Sequence, residues 1–157
     1  DQMNVYWKVA KKLDLEKKMN EMAYVYGLGN FAFQGELVGE GIQGNIYKLR
    51  GQTVCFYNAF DIDLQEFFNY EIFLDLLKTY DLPSVPILDD NFELPEDSHK
   101  ILLEVDQFYT TFGNNPKQLA EGWVFVAKDK IQKELRLTRS SFKRTSLKAK
   151  SRKYPLE

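Results

Sequence analysis

Residues 34–45 read Gln-Gly-Glu-Leu-Val-Gly-Glu-Gly-Ile-Gln-Gly-Asn, with four glycines and two carboxylates in twelve positions. No other stretch limits the fold as much. A glycine inside a strand gives up backbone entropy and packs nothing, so it marks a place where a ligand or another backbone comes close. The segment follows the alternating Phe31-Ala32-Phe33. It therefore reads as a strand running into a glycine-lined ligand wall.

The 157 residues suit one domain or a large piece of a bigger one, and 44% apolar content is enough for a real core. Nine Tyr and twelve Phe favour sheets, where aromatic side chains pack on a pleated surface. The single cysteine, Cys55, excludes an internal disulfide and suits a reducing cytosol. No apolar run approaches the roughly 20 residues that span a bilayer, and no signal peptide is evident. The expectation is a cytoplasmic chain without a membrane partner. Its first residue is not Met, which leads us to expect a fragment or a processed product.

The net charge of −2 hides an asymmetry. Residues 61–106 hold thirteen acids and two lysines, whereas residues 128–153 hold eleven basic residues and two acids. A basic tail of this kind suits phosphates, on a nucleotide or a nucleic acid backbone. It equally suits a solvated or disordered tail.

Apolar periodicity predicts a helix over residues 4–12 and a second over 15–22 capped by Asp14. A loop over 24–30 leads to a strand over 31–38. Segments 46–49 and 53–60 read as a hairpin around Arg50-Gly51-Gln52. A helix over 69–80 ends before Pro83 and Pro86, which introduce an extended 85–88. Residues 99–105 suit a helix, 123–127 a strand, and 140–149 a further extended segment. Helices interleaved with antiparallel strands make this an α+β chain.

Along an extended segment Lys148 and Lys150 point to one face, where two ammonium groups repel unless an anion or water lies between them. A phosphate supplies such an anion. Glu121 beside Gly122 offers a carboxylate where a backbone approaches closely, which suits Mg²⁺ held through water or phosphate oxygens. Phe60 is placed to stack on a base. Each also has a plainer reading: a Phe at a strand end belongs to cores, a Glu-Gly pair makes turns, and Lys-x-Lys protects a strand edge.

The order of these residues resembles the ATP-dependent RNA ligases, phage-type and editing-type, of the covalent nucleotidyltransferase superfamily. The extended segment 34–45 is similar to that branch. Phe60-Asp61-Ile62 resembles its aromatic-Asp-Ile motif, Glu121-Gly122-Trp123-Val124 its Glu-Gly-x-Val motif, and residues 146–154 its final lysine motif. Asn4-Val5-Tyr6-Trp7 resembles the helix preceding the Gly-Glu strand. The resemblance covers nearly the whole chain and implies one partial adenylyltransferase domain, a nucleotidyltransferase core of mainly antiparallel sheets flanked by helices. It implies sealing of RNA 5′-phosphate and 3′-hydroxyl ends, at a nick or break, using ATP and Mg²⁺ or Mn²⁺. It further implies that Gly35 and Glu36 line the ribose site, Phe60 stacks on adenine and Asp61 supports that site. Glu121 then positions the metal, and Lys148 and Lys150 stabilise the α-phosphate.

The family's nucleophile sits in a Lys-x-x-Gly motif upstream of the Gly-Glu strand, and no such motif precedes Gln34. Lys48-Leu49-Arg50-Gly51 has the letters but follows that strand and reads as a turn. The upstream arginine is also absent, and Val124 to Ala127 stand where the family places a basic residue, leaving the role of Lys128 open. Two expectations follow: the nucleophile and first strands lie outside this chain, or the chain is a non-catalytic nucleotide- or RNA-binding relative. Cys55 is expected to pack beside the hairpin and His99 to face solvent.

Overall fold

The computed structural model describes residues 4–128 and 146–154. These form two compact units, the first drawn from Asp1–Gly44 and Arg50–Val85, the second from Asn45–Leu49 and Pro86–Glu157. Helices accompany antiparallel strands in an α+β architecture.

Unit 1 begins with helix α1, Val5–Lys12. Asn4 caps it, its side-chain oxygen accepting the Tyr6 N–H at 2.8 Å, while Lys11 and Lys12 complement the C-terminal dipole. Helix α2, Leu15–Tyr26, outruns its expected end near Met22 and stops at Gly27, whose φ of 62° is the left-handed stop that glycine allows. Asp14 stands at the N-cap position of α2, its carbonyl accepting the Lys18 N–H at 3.0 Å, but its side chain makes no capping bond. Its own N–H bonds the Lys11 carbonyl to close α1, in a left-handed turn (φ 53°).

Strand β1, Phe31–Gly39, pairs antiparallel with β2, Gln52–Asp61, from Phe31↔Asp61 to Gly39↔Gln52. The expected hairpin of 46–49 with 53–60 is therefore replaced by a β1–β2 pair with a long excursion between. Asn45 explains the change: its side chain donates to the Leu49 carbonyl at 2.9 Å and accepts the Leu49 N–H at 3.0 Å. That local closure competes with a strand ladder. A short β3, Glu66–Phe67, extends the sheet beyond β2.

The glycines of β1 answer to this neighbour. A Cβ on Gly35 would lie 2.7 Å from the Val54 side chain and 2.9 Å from Phe56; one on Gly39 would strike the Gly51 carbonyl. The register slips between Gln34 and Gly35, leaving Tyr57 as the extra residue of a bulge. At both positions the facing backbone comes close.

Helix α3, Tyr70–Thr79, is capped by Asn69, which accepts the Ile72 N–H at 2.9 Å. Its Phe73, Leu76 and Leu77 bury with Met22, Phe56, Ala59 and Leu82 in the core of unit 1. Phe33 joins edge-on to Phe56 and Phe73, with centroids 5.5 and 5.8 Å away. Of the expected extended 85–88, the start is tied down: the Val85 N–H bonds the Phe56 carbonyl at 3.0 Å. Cys55 is buried in β2, as expected beside the strand pair, and burial, with the nearby Glu36 charge, pushes its thiol up to about 11.

Unit 2 contains helix α4, Ser98–Val105, and a two-stranded sheet of β4, Gly122–Val126, and β5, Ser146–Lys150. Asp97 caps α4 through the His99 N–H at 2.9 Å, and His99 is exposed as expected. Trp123 and Phe125 on β4 pack with Phe92 and Phe108. Residues Asn45–Leu49 are held here as well. The Asn114 and Asn115 side chains donate to the Lys48 and Ile46 carbonyls at 3.1 and 2.8 Å, and Tyr47 meets Phe112 edge-on. Of the expected segment 140–149, residues 146–149 lie in β5; 140–145, and the basic residues between 129 and 145, fall outside the described residues. Among the described residues, no helix is long and apolar enough to cross a membrane.

Candidate functional site

The seven residues singled out from the sequence divide between the units. Gly35, Glu36, Phe60 and Asp61 belong to unit 1; Glu121, Lys148 and Lys150 belong to unit 2.

In unit 1, register and alternation decide which side chains share a face. Ala32 pairs with Phe60, Gln34 with Asn58 and Glu36 with Cys55. Directly opposed residues point the same way and successive ones alternate, so Gln34, Glu36, Asn58 and Phe60 occupy one face of the sheet. Phe33 and Phe56 occupy the other, against the core. Glu36 is exposed, and Asn58 donates to the Gln34 side-chain oxygen at 3.2 Å. Phe60 is half-buried, edge-on to Phe67 with centroids 5.2 Å apart. Asp61 alternates away from Phe60 and accepts the Leu64 N–H at 2.8 Å, shaping the turn after β2. It supports the strand end rather than lying beside Phe60.

The same strand end holds a residue that the sequence did not flag. Asp63 accepts the Asn30 N–H at 2.7 Å and the Asn30 side-chain amide at 2.9 Å. These bonds hold its carboxyl below the ordinary range. They tie the approach to β1 to the exit from β2, and Gly29 has no side chain because a Cβ there would strike Asp63.

In unit 2 the pairing is compact. Lys150 faces Gly122 and Lys148 faces Val124, so both lysines share the face opposite Trp123 and Phe125. Gly122 is a glycine because a Cβ would collide with the Ala149 carbonyl. The two strands thus close tightly beside Glu121. Its Oε1 accepts Lys148 Nζ at 2.8 Å and lies 3.3 Å from Lys150 Nζ. The hydrogen bond from Lys148, then the charges of both lysines, hold the Glu121 carboxyl below its usual range. The anion that the lysine pair requires is therefore supplied by Glu121 itself. All three side chains remain about half exposed, at 44%, 47% and 58% for Glu121, Lys148 and Lys150.

A clamp lies directly after these lysines. Asp106, 5% exposed at the C-terminal end of α4, accepts the Arg152 backbone N–H at 2.7 Å and Nε at 2.8 Å, and also pairs with Nη2. These bonds, side chain first, hold its carboxyl low. The Ser151 N–H bonds the Glu121 carbonyl at 2.8 Å. The sequence carried one signal for the clamp: an aspartate at a helix C-terminus opposes the helix dipole and calls for a cation.

The donor set can be tested against a divalent ion. Among the described residues, no group of three or more His, Cys, Asp or Glu side chains could hold a metal. A cation at Glu121 would take its remaining ligands from water and phosphate, the manner in which Mg²⁺ is commonly bound. Lys128, two residues past β4, is exposed.

A family model described as RNA ligase matches residues 1–150. The chain belongs to the RNA ligase family. Its fold is similar to that of Naegleria gruberi RNA ligase solved with PPi, with a TM-score of 0.72 and 29% identity over 96% of this chain and 40% of that one. A mutant of the same ligase with AMP and Mn is 31% identical, with a TM-score of 0.70 and the same coverage. Another mutant, with ATP and Mn, is 29% identical at a TM-score of 0.71. The chain spans about 40% of the length of these ligases. No curated protein matches it.

Proposed function

We propose that this RNA ligase family chain takes part in ATP-dependent joining of RNA 5′-phosphate and 3′-hydroxyl ends. A lysine Nζ attacks the α-phosphorus of ATP and expels pyrophosphate, leaving a lysyl-AMP. The AMP then passes to the RNA 5′-phosphate, and the 3′-hydroxyl displaces it as the strand is sealed. The nucleophile is expected outside residues 1–157, since Lys48 of the Lys-x-x-Gly match follows the Gly-Glu strand instead of preceding it.

Within the chain, Lys148 and Lys150 stabilise the α-phosphate. Glu36 holds ribose hydroxyls, with the backbone of Gly35 beside it; Phe60 stacks on adenine, and Asp61 fixes the strand end that carries it. Glu121 would hold a divalent cation, Mg²⁺ or Mn²⁺, whose charge would offset that of the phosphate oxygens. Positioning and charge neutralisation account for most of phosphoryl-transfer catalysis, which suits this set. The observation that carries the reading is the Glu121–Lys148–Lys150 cluster on a hairpin within the family's matched span.

The test uses intact mass after incubation with ATP and Mg²⁺. Residues 1–157 alone are expected to gain nothing, whereas a chain extended upstream through a Lys-x-x-Gly is expected to gain one AMP. Lys148→Ala in that longer chain should lose the adduct by a hundredfold or more in rate while keeping its fold; the removal of one preorganised donor at a developing oxyanion costs on the order of 10²–10³. A retained adduct would return Lys148 to the role of an edge-protecting charge.

A second reading is a non-catalytic relative that binds nucleotide or RNA, which the eleven basic residues against two acids over 128–153 favour. RNA retention that falls steeply with salt, without any adduct in the extended chain, would support it.

A further inference from the structure

Glu121 and the two lysines are, in this structure, one another's partners. The carboxylate that the proposed function assigns to a cation is the same group that occupies the ammonium groups assigned to phosphate. The two assignments oppose each other: the Glu121 charge lies against both ammonium groups and takes an N–H from Lys148, so it repels an arriving phosphate, while the ammonium groups repel a cation arriving at the carboxylate.

We propose that Glu121 acts as a built-in competitor for anions at Lys148 and Lys150, so that the hairpin disfavours a bare phosphate and favours one that arrives with a divalent cation. This deepens the nucleotide-binding reading above and rests on it.

Three observations carry it. The cluster has net charge +1, one carboxylate against two ammonium groups, so it still attracts anions while closed. Its members are half exposed, so the bonds are accessible and exchangeable. The backbone beneath them is fixed by the Gly122–Ala149 approach, the Ser151–Glu121 bond and the Asp106–Arg152 clamp. The ion pairs therefore break by side-chain movement alone, without loss of the hairpin.

The energetic sign follows. A bare anion at the lysines meets the Glu121 carboxylate beside it and competes with Oε1 for their N–H groups. A cation on Glu121 offsets that charge and weakens its hold on the lysines. By linkage, each ligand raises the other's affinity by the same factor. Exposed ion pairs contribute little each, so two of them set the competition at about threefold to tenfold.

The experiment is calorimetric titration of the chain with inorganic pyrophosphate in chelator, comparing wild type with Glu121→Gln. A role for Glu121 as a metal ligand alone leaves this metal-free affinity unchanged. The proposal expects the variant to bind metal-free pyrophosphate about threefold to tenfold more tightly, and the gain to shrink at high salt. A second variant works from the other side: Lys148→Met should bind Mn²⁺ alone more tightly than wild type, read by Mn²⁺ paramagnetic resonance. Circular dichroism checks that both variants keep the fold. Pyrophosphate binding that is unchanged or weaker in Glu121→Gln overturns the competitor role alone. Absence of pyrophosphate binding in wild type and both variants overturns it together with the phosphate reading of the lysines.

Discussion

The two units hold their polar residues in place by different means. In unit 1, Glu36 and Phe60 ride on a strand pair whose reverse face is packed against Phe73, Met22 and Leu77. Their placement follows from register and a buried aromatic core. In unit 2, Lys148 and Lys150 ride on a pair of five-residue strands, stapled at its end by the buried Asp106 carboxylate on an exposed Arg152 and capped by Glu121. Their placement depends on charge as well as on Trp123 and Phe125 packing behind them. Apolar packing responds little to salt or pH, whereas charge pairs answer to both. One unit should therefore behave as a scaffold and the other as a part sensitive to its ionic surroundings.

The largest effect should come from breaking the scaffold. Phe73 is completely buried, and Phe73→Ala should cost about 3–5 kcal/mol from lost transfer energy and the cavity left behind. Urea unfolding monitored by circular dichroism reads this. A loss below about 1 kcal/mol would mean that the α3 face is not the keystone of unit 1.

Gly122→Ala tests the hairpin's close approach. The new methyl must push against the Ala149 carbonyl, and overpacking of this kind costs about 1–3 kcal/mol. Heteronuclear NMR should show the Lys148 and Lys150 amides shifting while those of Phe33 and Phe60 stay. Shifts spread equally through both units would erase the contrast drawn above.

The smallest effect is one of pH. Asp106 has its carboxyl lowered by Arg152 in the folded chain. The stabilisation is then fully present above the unfolded value near about 3.9 and is lost as pH falls through the lower folded value. Asp63 moves in the same direction through Asn30, so the variant is what assigns the effect. Asp106→Asn should flatten the acid limb of a thermal-unfolding profile between roughly pH 5 and 2, with a further loss at neutral pH because Arg152 loses its counter-charge. An unaltered acid limb would remove Asp106 from the account of unit 2.

How much of this was legible in the sequence varies with the range of the forces involved. Helices α1, α3 and α4 followed from apolar spacing, which is local; their caps, Asn4, Asn69 and Asp97, came only with the structure. The alternation that placed Lys148 and Lys150 on one face was local too, and it holds in β5. The pairing of β1 with β2 was missed, because the closure of Asn45 on Leu49 and the grip of Asn114 and Asn115 on that loop are set by residues up to 69 positions apart. Glycine spacing announced close approach at Gly35, where it suggested a ligand wall, and at Gly122; at both positions a neighbouring strand comes close. The lysine pair's need for an anion was likewise legible, while its nearest supplier, Glu121, emerged from the β4–β5 register. Asp14 looks like a helix cap from its neighbours and does stand at the N-cap position, but in the left-handed α1–α2 turn its side chain makes no capping bond.

The excursion between β1 and β2 bears on how such a chain can be inherited or rearranged. Five residues, Asn45–Leu49, are embedded in the sequence of unit 1 but fold with unit 2. Neither unit is a contiguous cassette. Excising Pro86 onward would strip the Ile46 and Lys48 carbonyls of the amides of Asn115 and Asn114, and grafting that stretch elsewhere would leave those amides without their acceptors. The backbone thus stitches the scaffold and the ion-sensitive hairpin into a single heritable piece, which recombination can transmit whole but cannot cleanly divide.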